Sequence, residues 1–209
     1  MRKPAFRDRP AAGRSVAAML GKYRDDAIVL AIPAGGVPVA LQVAKALSLP
    51  LQVIPVSKVL FPWTTEGGFG AVAFDASVWI DDAAVENFGL KPGQIDKAVA
   101  DARAKVERRR ARFCRSEVDP GDKTVILVDD GIAAGSTMRT AIAALRKHGA
   151  KKIVVAVPTA HDRSLDALRT LADEIVCADI RGGTHFAVAD AYEEWRDLTD
   201  EEIEAMLKP

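Results

Sequence analysis

The stretch Val125-Ile126-Leu127-Val128-Asp129-Asp130-Gly131-Ile132-Ala133-Ala134-Gly135-Ser136-Thr137-Met138 concentrates the chemistry of this sequence. Four apolar residues end abruptly in two carboxylates, and small residues with two glycines then lead into a helix-like pattern. Free backbone N–H groups at a positive helix end suit a phosphate. Gly131 and Gly135 let the backbone approach an anion closely, and Ser136 and Thr137 add hydroxyl donors. Adjacent acids would repel a bare phosphate but can accept hydrogen bonds from vicinal hydroxyls. A ribose meets both demands, with its 2- and 3-hydroxyls on Asp129 and Asp130 and its 5-phosphate in the loop.

The loop lacks the lysine of a P-loop and the G-x-G-x-x-G of a dinucleotide fingerprint. A phospho-acceptor receiver domain would need a full doubly wound unit after residue 130, and too little chain follows. The bland alternative is a strand-to-helix turn with solvated acids.

Elements able to position this loop are legible around it. Short Val- and Ile-rich runs at Ala27–Ile32, Leu51–Val56, Val125–Val128 and Ile153–Val157 read as buried strands, with Glu174–Ile180 as a fifth. Helical patterns follow at Val37–Leu47, Ser136–Lys147 and Arg163–Leu171. This alternation predicts an α/β fold, a doubly wound, mainly parallel sheet of about five strands with flanking helices. Ligands gather at the carboxyl ends of such strands, so Ala34, Lys58, Asp129 and Pro158 are expected on one rim.

Two segments break the rhythm. Phe61–Gly70 is rich in Gly and Pro and reads as a mobile lid. Residues 82–116 form a helical insertion with an apolar stripe at Ile95, Val99, Ala102, Val106 and Phe113. Its Arg108-Arg109-Arg110 run, preceded by Asp96 and Asp101, complements the helix dipole and is read as structural. The whole chain, 1–209, is taken as one domain with cap elements over 181–209.

Composition removes several function classes. The 29 basic and 29 acidic residues cancel, so no overall field favours nucleic acid or an anionic membrane, and any anion site is local. No apolar window approaches signal-peptide or membrane-span length, and only two distant cysteines, Cys114 and Cys177, occur. A cytoplasmic protein with buried thiols is the expectation.

The run Val-Ile-Leu-Val-Asp-Asp-Gly-Ile-Ala-Ala-Gly-Ser-Thr resembles the phosphoribosyl pyrophosphate (PRPP) motif of the type I phosphoribosyltransferases. The likeness extends from Phe6-Arg7-Asp8-Arg9 to the Tyr192 and Trp195 region. It implies transfer of a 5-phosphoribosyl group from PRPP to a nitrogenous acceptor, such as a nucleobase, with Mg²⁺ and release of pyrophosphate, as in nucleotide salvage. Asp129, Asp130, Gly131, Ile132, Ala133, Ala134, Gly135, Ser136 and Thr137 would bind PRPP, and Asp129 or Asp130 would touch the metal. Ala34, Gly35, Gly36 and Lys58 would receive the pyrophosphate, with Lys58 catalytic beside the two aspartates. Gly35-Gly36 is also compatible with a plain strand-to-helix turn. The related branch usually has Arg where this chain has Ala34, which admits a second reading, a non-catalytic PRPP sensor of the same fold. The resemblance further implies a flexible loop around Glu66–Ala71 near Trp63, a small cap or hood, and a homodimer. His161, Arg181 and Phe186 would face the acceptor, whose identity the sequence leaves open.

Overall fold

The structure is a computed structural model that describes residues 3–24, 26–114, 116–183 and 186–208. Its centre is a parallel sheet of five strands: β1 (Ala27–Ala31), β2 (Leu51–Val53), β6 (Thr124–Val128), β7 (Lys152–His161) and β8 (Glu174–Arg181), in the order β2-β1-β6-β7-β8. Both β1 and β6 are buried along their whole length, as their unbroken apolar runs require of strands covered on two faces. Ile28, Leu30, Val125, Leu127, Ile153 and Val155 point to one face. There they meet α5 (Ser136–Lys147) and α6 (Asp162–Leu168). Val29, Ala31, Ile126, Val128, Val154 and Ala156 point to the other, against α1 (Arg9–Ala18) and α2 (Gly36–Leu47).

Chain order runs outward from the middle in both directions, through α2 to β2 on one side and through α5 and α6 to β7 and β8 on the other. The sheet is therefore doubly wound, and its switch point lies between the carboxyl ends of β1 and β6. Pro33–Gly36 and Asp129–Gly135 leave the sheet at that crevice.

The intervening chain differs from the sequence expectation. The second strand stops at Val53 rather than Val56, and Lys58 lies on β3 (Ser57–Leu60), in a separate antiparallel sheet with β4 (Gly68–Val72) and β5 (Val78–Ile80). Gly68–Gly70, expected in an irregular lid, pairs with β3 and β5, which leaves 61–67 as the connecting loop. Alternation explains the difference: Val59 and Phe69 are buried against Ala102 and Val106 of the insertion, so this hairpin has its own core. The insertion itself comprises α3 (Asp82–Asn87) and α4 (Pro92–Phe113).

The hood is built from both chain ends. Phe6 pairs with Tyr192 in an isolated parallel bridge, Glu193 N donates to Phe6 O at 2.9 Å and Glu194 N to Arg7 O at 2.8 Å. After this, α7 (Asp200–Met206) starts with a capping box between Thr199 and Glu202. No helix among the described residues is long and apolar enough to cross a membrane.

Candidate active site

The acidic pair sits at the end of β6 with its two carboxylates in different surroundings. Asp129 Oδ1 accepts the Asp130 amide at 2.8 Å, which folds the Asp129 side chain back over the turn. Burial, with the neighbouring Asp130 charge adding to it, raises the Asp129 pKa well above the usual carboxylate range, while Lys58 pulls in the opposite direction. Asp130 has a partner absent from the sequence reading of the site: Arg9, on the first turn of α1, donates Nε to Asp130 Oδ2 at 2.8 Å. The pair is largely buried, with side chains 9% and 14% exposed.

Arg9 is itself held from three sides. Its NH1 donates to Arg196 O at 2.8 Å, its guanidinium lies 3.9 Å from the Trp195 ring centre, and Tyr192 flanks it at 6.0 Å. The Tyr192 hydroxyl donates to Asp130 O at 2.6 Å, and burial pushes its pKa up, so it remains a donor. The hood thus fixes both the side chain and the carbonyl of Asp130. Arg9 had a sequence signal only through the Phe6–Arg9 resemblance, because 121 residues separate it from its partner.

The first loop packs directly on the acids. A Cβ on Gly35 would lie 1.8 Å from Asp130 Oδ2, and one on Gly36 would lie 2.8 Å from Val128 O. A side-chain carbon would have to displace the Asp130 carboxylate at Gly35 and backbone at Gly36, a reason for glycine distinct from amide exposure. The loop contains a cis peptide bond between Pro33 and Ala34. Its outer side is gripped by Arg109, whose NH1 donates to Pro33 O at 3.0 Å while Nε and NH2 each reach Asp200 Oδ1 at 2.9 Å. Arg109 is buried, so one residue of the arginine run serves the site as well as the helix end. The reading from the dipole missed this, since Pro33 is 76 residues away.

The second loop is stitched to β7. Ile132 N donates to Thr159 O at 3.0 Å and His161 N to Ile132 O at 2.9 Å. Ile132 was expected to bind ligand; its amide is engaged and its side chain is in the core, so its role is to anchor the loop. Among the described residues, the amides of Ala133, Ala134 and Gly135 make no backbone bond. Gly135 has φ of +83°, which turns the chain into α5, whose first-turn amides at Ser136 and Thr137 have no partner within the helix.

The remaining expected residues divide. Lys58 is exposed and donates to Glu66 O at 3.3 Å, which ties β3 to the loop end. His161, at the end of β7, has Nε2 2.9 Å from Gly183 O and meets Phe186 edge-on at 5.8 Å, so these two are brought together. Arg181 is placed elsewhere: buried, it contacts Asp179 Oδ2 and donates to Asp190 O at 2.9 Å and Lys3 O at 3.1 Å. The sequence expectation that it faces an acceptor gives way to a structural clasp between the chain ends. Cys114 and Cys177, expected to be buried, are half-buried and unpaired. Trp63 is 59% exposed and stacks on Phe61 at 5.3 Å.

Fold and site together define a doubly wound α/β protein with a glycine loop and a paired-acid strand end at its switch point. Residues 5–192 match the phosphoribosyl transferase domain, and the chain belongs to that family. A Mycobacterium tuberculosis H37Rv protein named "Putative phosphoribosyl transferase" is 36% identical over 205 residues, covering 97% of this chain and 46% of the relative. The chain thus spans about half the length of the curated relatives it matches. The crystal structure of TT1426 from Thermus thermophilus superposes with a TM-score of 0.74 at 32% identity, covering 99% of this chain and 98% of that one. A hypothetical protein from Neisseria gonorrhoeae crystallised with bound ppGpp shares the fold, with a TM-score of 0.52 at 14% identity over 99% of this chain and 97% of that one.

Proposed function

We propose that the protein is an enzyme that transfers a 5-phosphoribosyl group from PRPP to a small nitrogenous acceptor, in a cytoplasmic setting that its unpaired thiols favour. The observation that carries the reading is the contact of Asp129 and Asp130 with the Gly35-Gly36 turn, beside the amides at the start of α5. Diol acceptors, a phosphate cradle and a second amide loop then border one crevice.

Mg²⁺ fits this donor set in one way. Among the described residues no group of three or more His, Cys, Asp or Glu could hold a metal, so an all-protein cage is absent. Mg²⁺ commonly takes one or two carboxylates and completes its shell with substrate oxygens and water. Asp129 or Asp130 would be its protein ligand, through the oxygen that the Asp130 amide or Arg9 leaves open. When bound, the ion would neutralise charge on the pyrophosphate.

The chain's own residues supply the rest. Asp129 and Asp130 accept the ribose hydroxyls, and the Asp130 carboxylate, ion-paired with Arg9, places negative charge beside the positive ribose ring that develops as the bond to pyrophosphate breaks. Lys58 and the amides of Ala34 and Gly35 receive the departing anion, while the Gly36 amide is held by Ile32 O at 3.1 Å. His161 and Phe186 border the side from which an acceptor nitrogen would attack.

Asp129→Asn combined with Asp130→Asn is expected to abolish Mg²⁺-dependent PRPP binding in calorimetry while the far-UV circular dichroism stays unchanged. Unaltered affinity would remove the mechanism. A second reading, a PRPP sensor without turnover, is favoured by the uncharged Ala34 in the leaving-group loop. Pyrophosphate release from PRPP with a panel of bases separates the two: release supports the enzyme, and binding without release supports the sensor.

A further inference from the structure

Ala34 leaves the first loop without a side-chain charge, yet the chain brings basic groups to it from outside the parallel sheet. On α4, Ala102 and Val106 pack on Val59 of β3, and Arg109 reaches Pro33 O at 3.0 Å. Lys105 lies between these contacts, one turn before Arg109 and on the same helix face. That turn rises only about 6 Å, within the reach of an extended lysine side chain.

Lys105 is half-buried, and among the described residues no ion pair or hydrogen bond engages its ammonium. The carboxylate closest in its influence is Asp200, but Asp200 Oδ1 is bound by Arg109 at 2.9 Å and Oδ2 stands 3.8 Å from Arg108. A half-buried cation without an acid of its own is costly unless an anion arrives. Burial, then the charges of Arg109, Arg108 and Lys58, hold the Lys105 pKa below its usual value against the pull of Asp200. Lys58, on β3 packed against α4, exerts its charge on both Lys105 and Asp129.

We propose that Lys105 is a pyrophosphate-binding residue, carried by the long helix of the insertion to the first loop, where its ammonium supplies the charge that Ala34 does not. The inference rests on the PRPP reading above and assigns part of the leaving-group site to the insertion.

The test is calorimetry on the full chain with three probes in the presence of Mg²⁺: PRPP, inorganic pyrophosphate and ribose 5-phosphate. Lys105→Gln is expected to weaken PRPP and pyrophosphate binding by about tenfold to 100-fold, the effect of one charge-assisted bond, and to leave ribose 5-phosphate binding unchanged. Lys105→Arg is expected to restore most of the loss. Unchanged binding of all three probes by Lys105→Gln overturns the inference, as does an equal loss for ribose 5-phosphate. A wild-type protein that binds ribose 5-phosphate but neither diphosphate also overturns it. One that binds none of the probes sinks the PRPP reading itself. Amine acylation of the wild-type chain, read by mass spectrometry, provides a check free of mutation: pyrophosphate should protect Lys105, ribose 5-phosphate should not, and equal labelling in both counts against the proposal.

Discussion

Gly35→Ala tests the contact between the two loops most directly. The new Cβ would stand 1.8 Å from Asp130 Oδ2 and 2.4 Å from Asp130 Cγ. Tolerable contact begins near 3.4 Å, so the carboxylate oxygen would have to retreat by about 1.6 Å. That oxygen is the one bound by Arg9 at 2.8 Å, and a displacement of this size takes the pair beyond hydrogen-bond range. Separating partners that are largely buried costs about 3 to 5 kcal/mol, since each charge keeps its desolvation without its counter-ion. For a chain of this length, 3 kcal/mol corresponds to a fall in Tm of about 6 to 12 °C.

The same displacement withdraws one charged acceptor from the ribose diol, which should weaken PRPP binding by about 10- to 150-fold. Thermal denaturation and calorimetry on Gly35→Ala, Arg9→Met and the double variant provide the assay. Because both substitutions break one interaction, their effects should be strongly non-additive, with Arg9→Met adding little once Gly35→Ala is present. A Tm within about 1 °C of wild type with affinity retained, or fully additive losses, would refute the reasoning.

Two further predictions concern the frame around the site. Arg109→Met keeps the apolar stem but removes the donor to Pro33 O and strips Asp200 of its main partner, at a cost of about 3 kcal/mol. Amide hydrogen exchange at Ala34–Gly36 should accelerate more than exchange within β6; equal protection in variant and wild type would show that Arg109 does not hold the loop. Asp173 accepts Ile153 N and Arg146 NH2, each at 2.6 Å, and although burial pushes its pKa up, these bonds outweigh it and hold the value below the usual 3.8. A depressed carboxylate contributes stability above its unfolded value, and this contribution fades as pH falls through the folded value. Asp173→Asn should therefore lower stability at pH 7 by about 1 kcal/mol, discounted for its partial exposure, with the difference from wild type shrinking below about pH 4. A denaturant midpoint difference that stays constant from pH 7 to pH 3 would contradict this assignment.

The sequence by itself determined the parallel sheet, its α/β order and the loop between Asp129 and Thr137, because each depends on contiguous residues. An unbroken apolar run can be buried on two faces only as a covered strand, and Gly135 at the entry to α5 makes the turn that its φ of +83° requires. Neither signal needs knowledge of a distant partner.

Tertiary structure alone decided what the acids touch. Arg9, Tyr192 and Arg109 meet the site across separations of 121, 62 and 76 residues, and nothing local distinguishes them from other basic or aromatic side chains. The sheet that carries Lys58 differs from the sequence expectation for the same reason: the chain leaves the first sheet after Val53, and only the separate core of Val59, Phe69 and Val106 shows that a second sheet begins. Arg181 had the charge for an acceptor contact, but its side chain is buried against Asp179 and two backbone carbonyls. Strand periodicity is a local property of the chain, whereas the partner of a charged side chain is set by which elements the fold brings together.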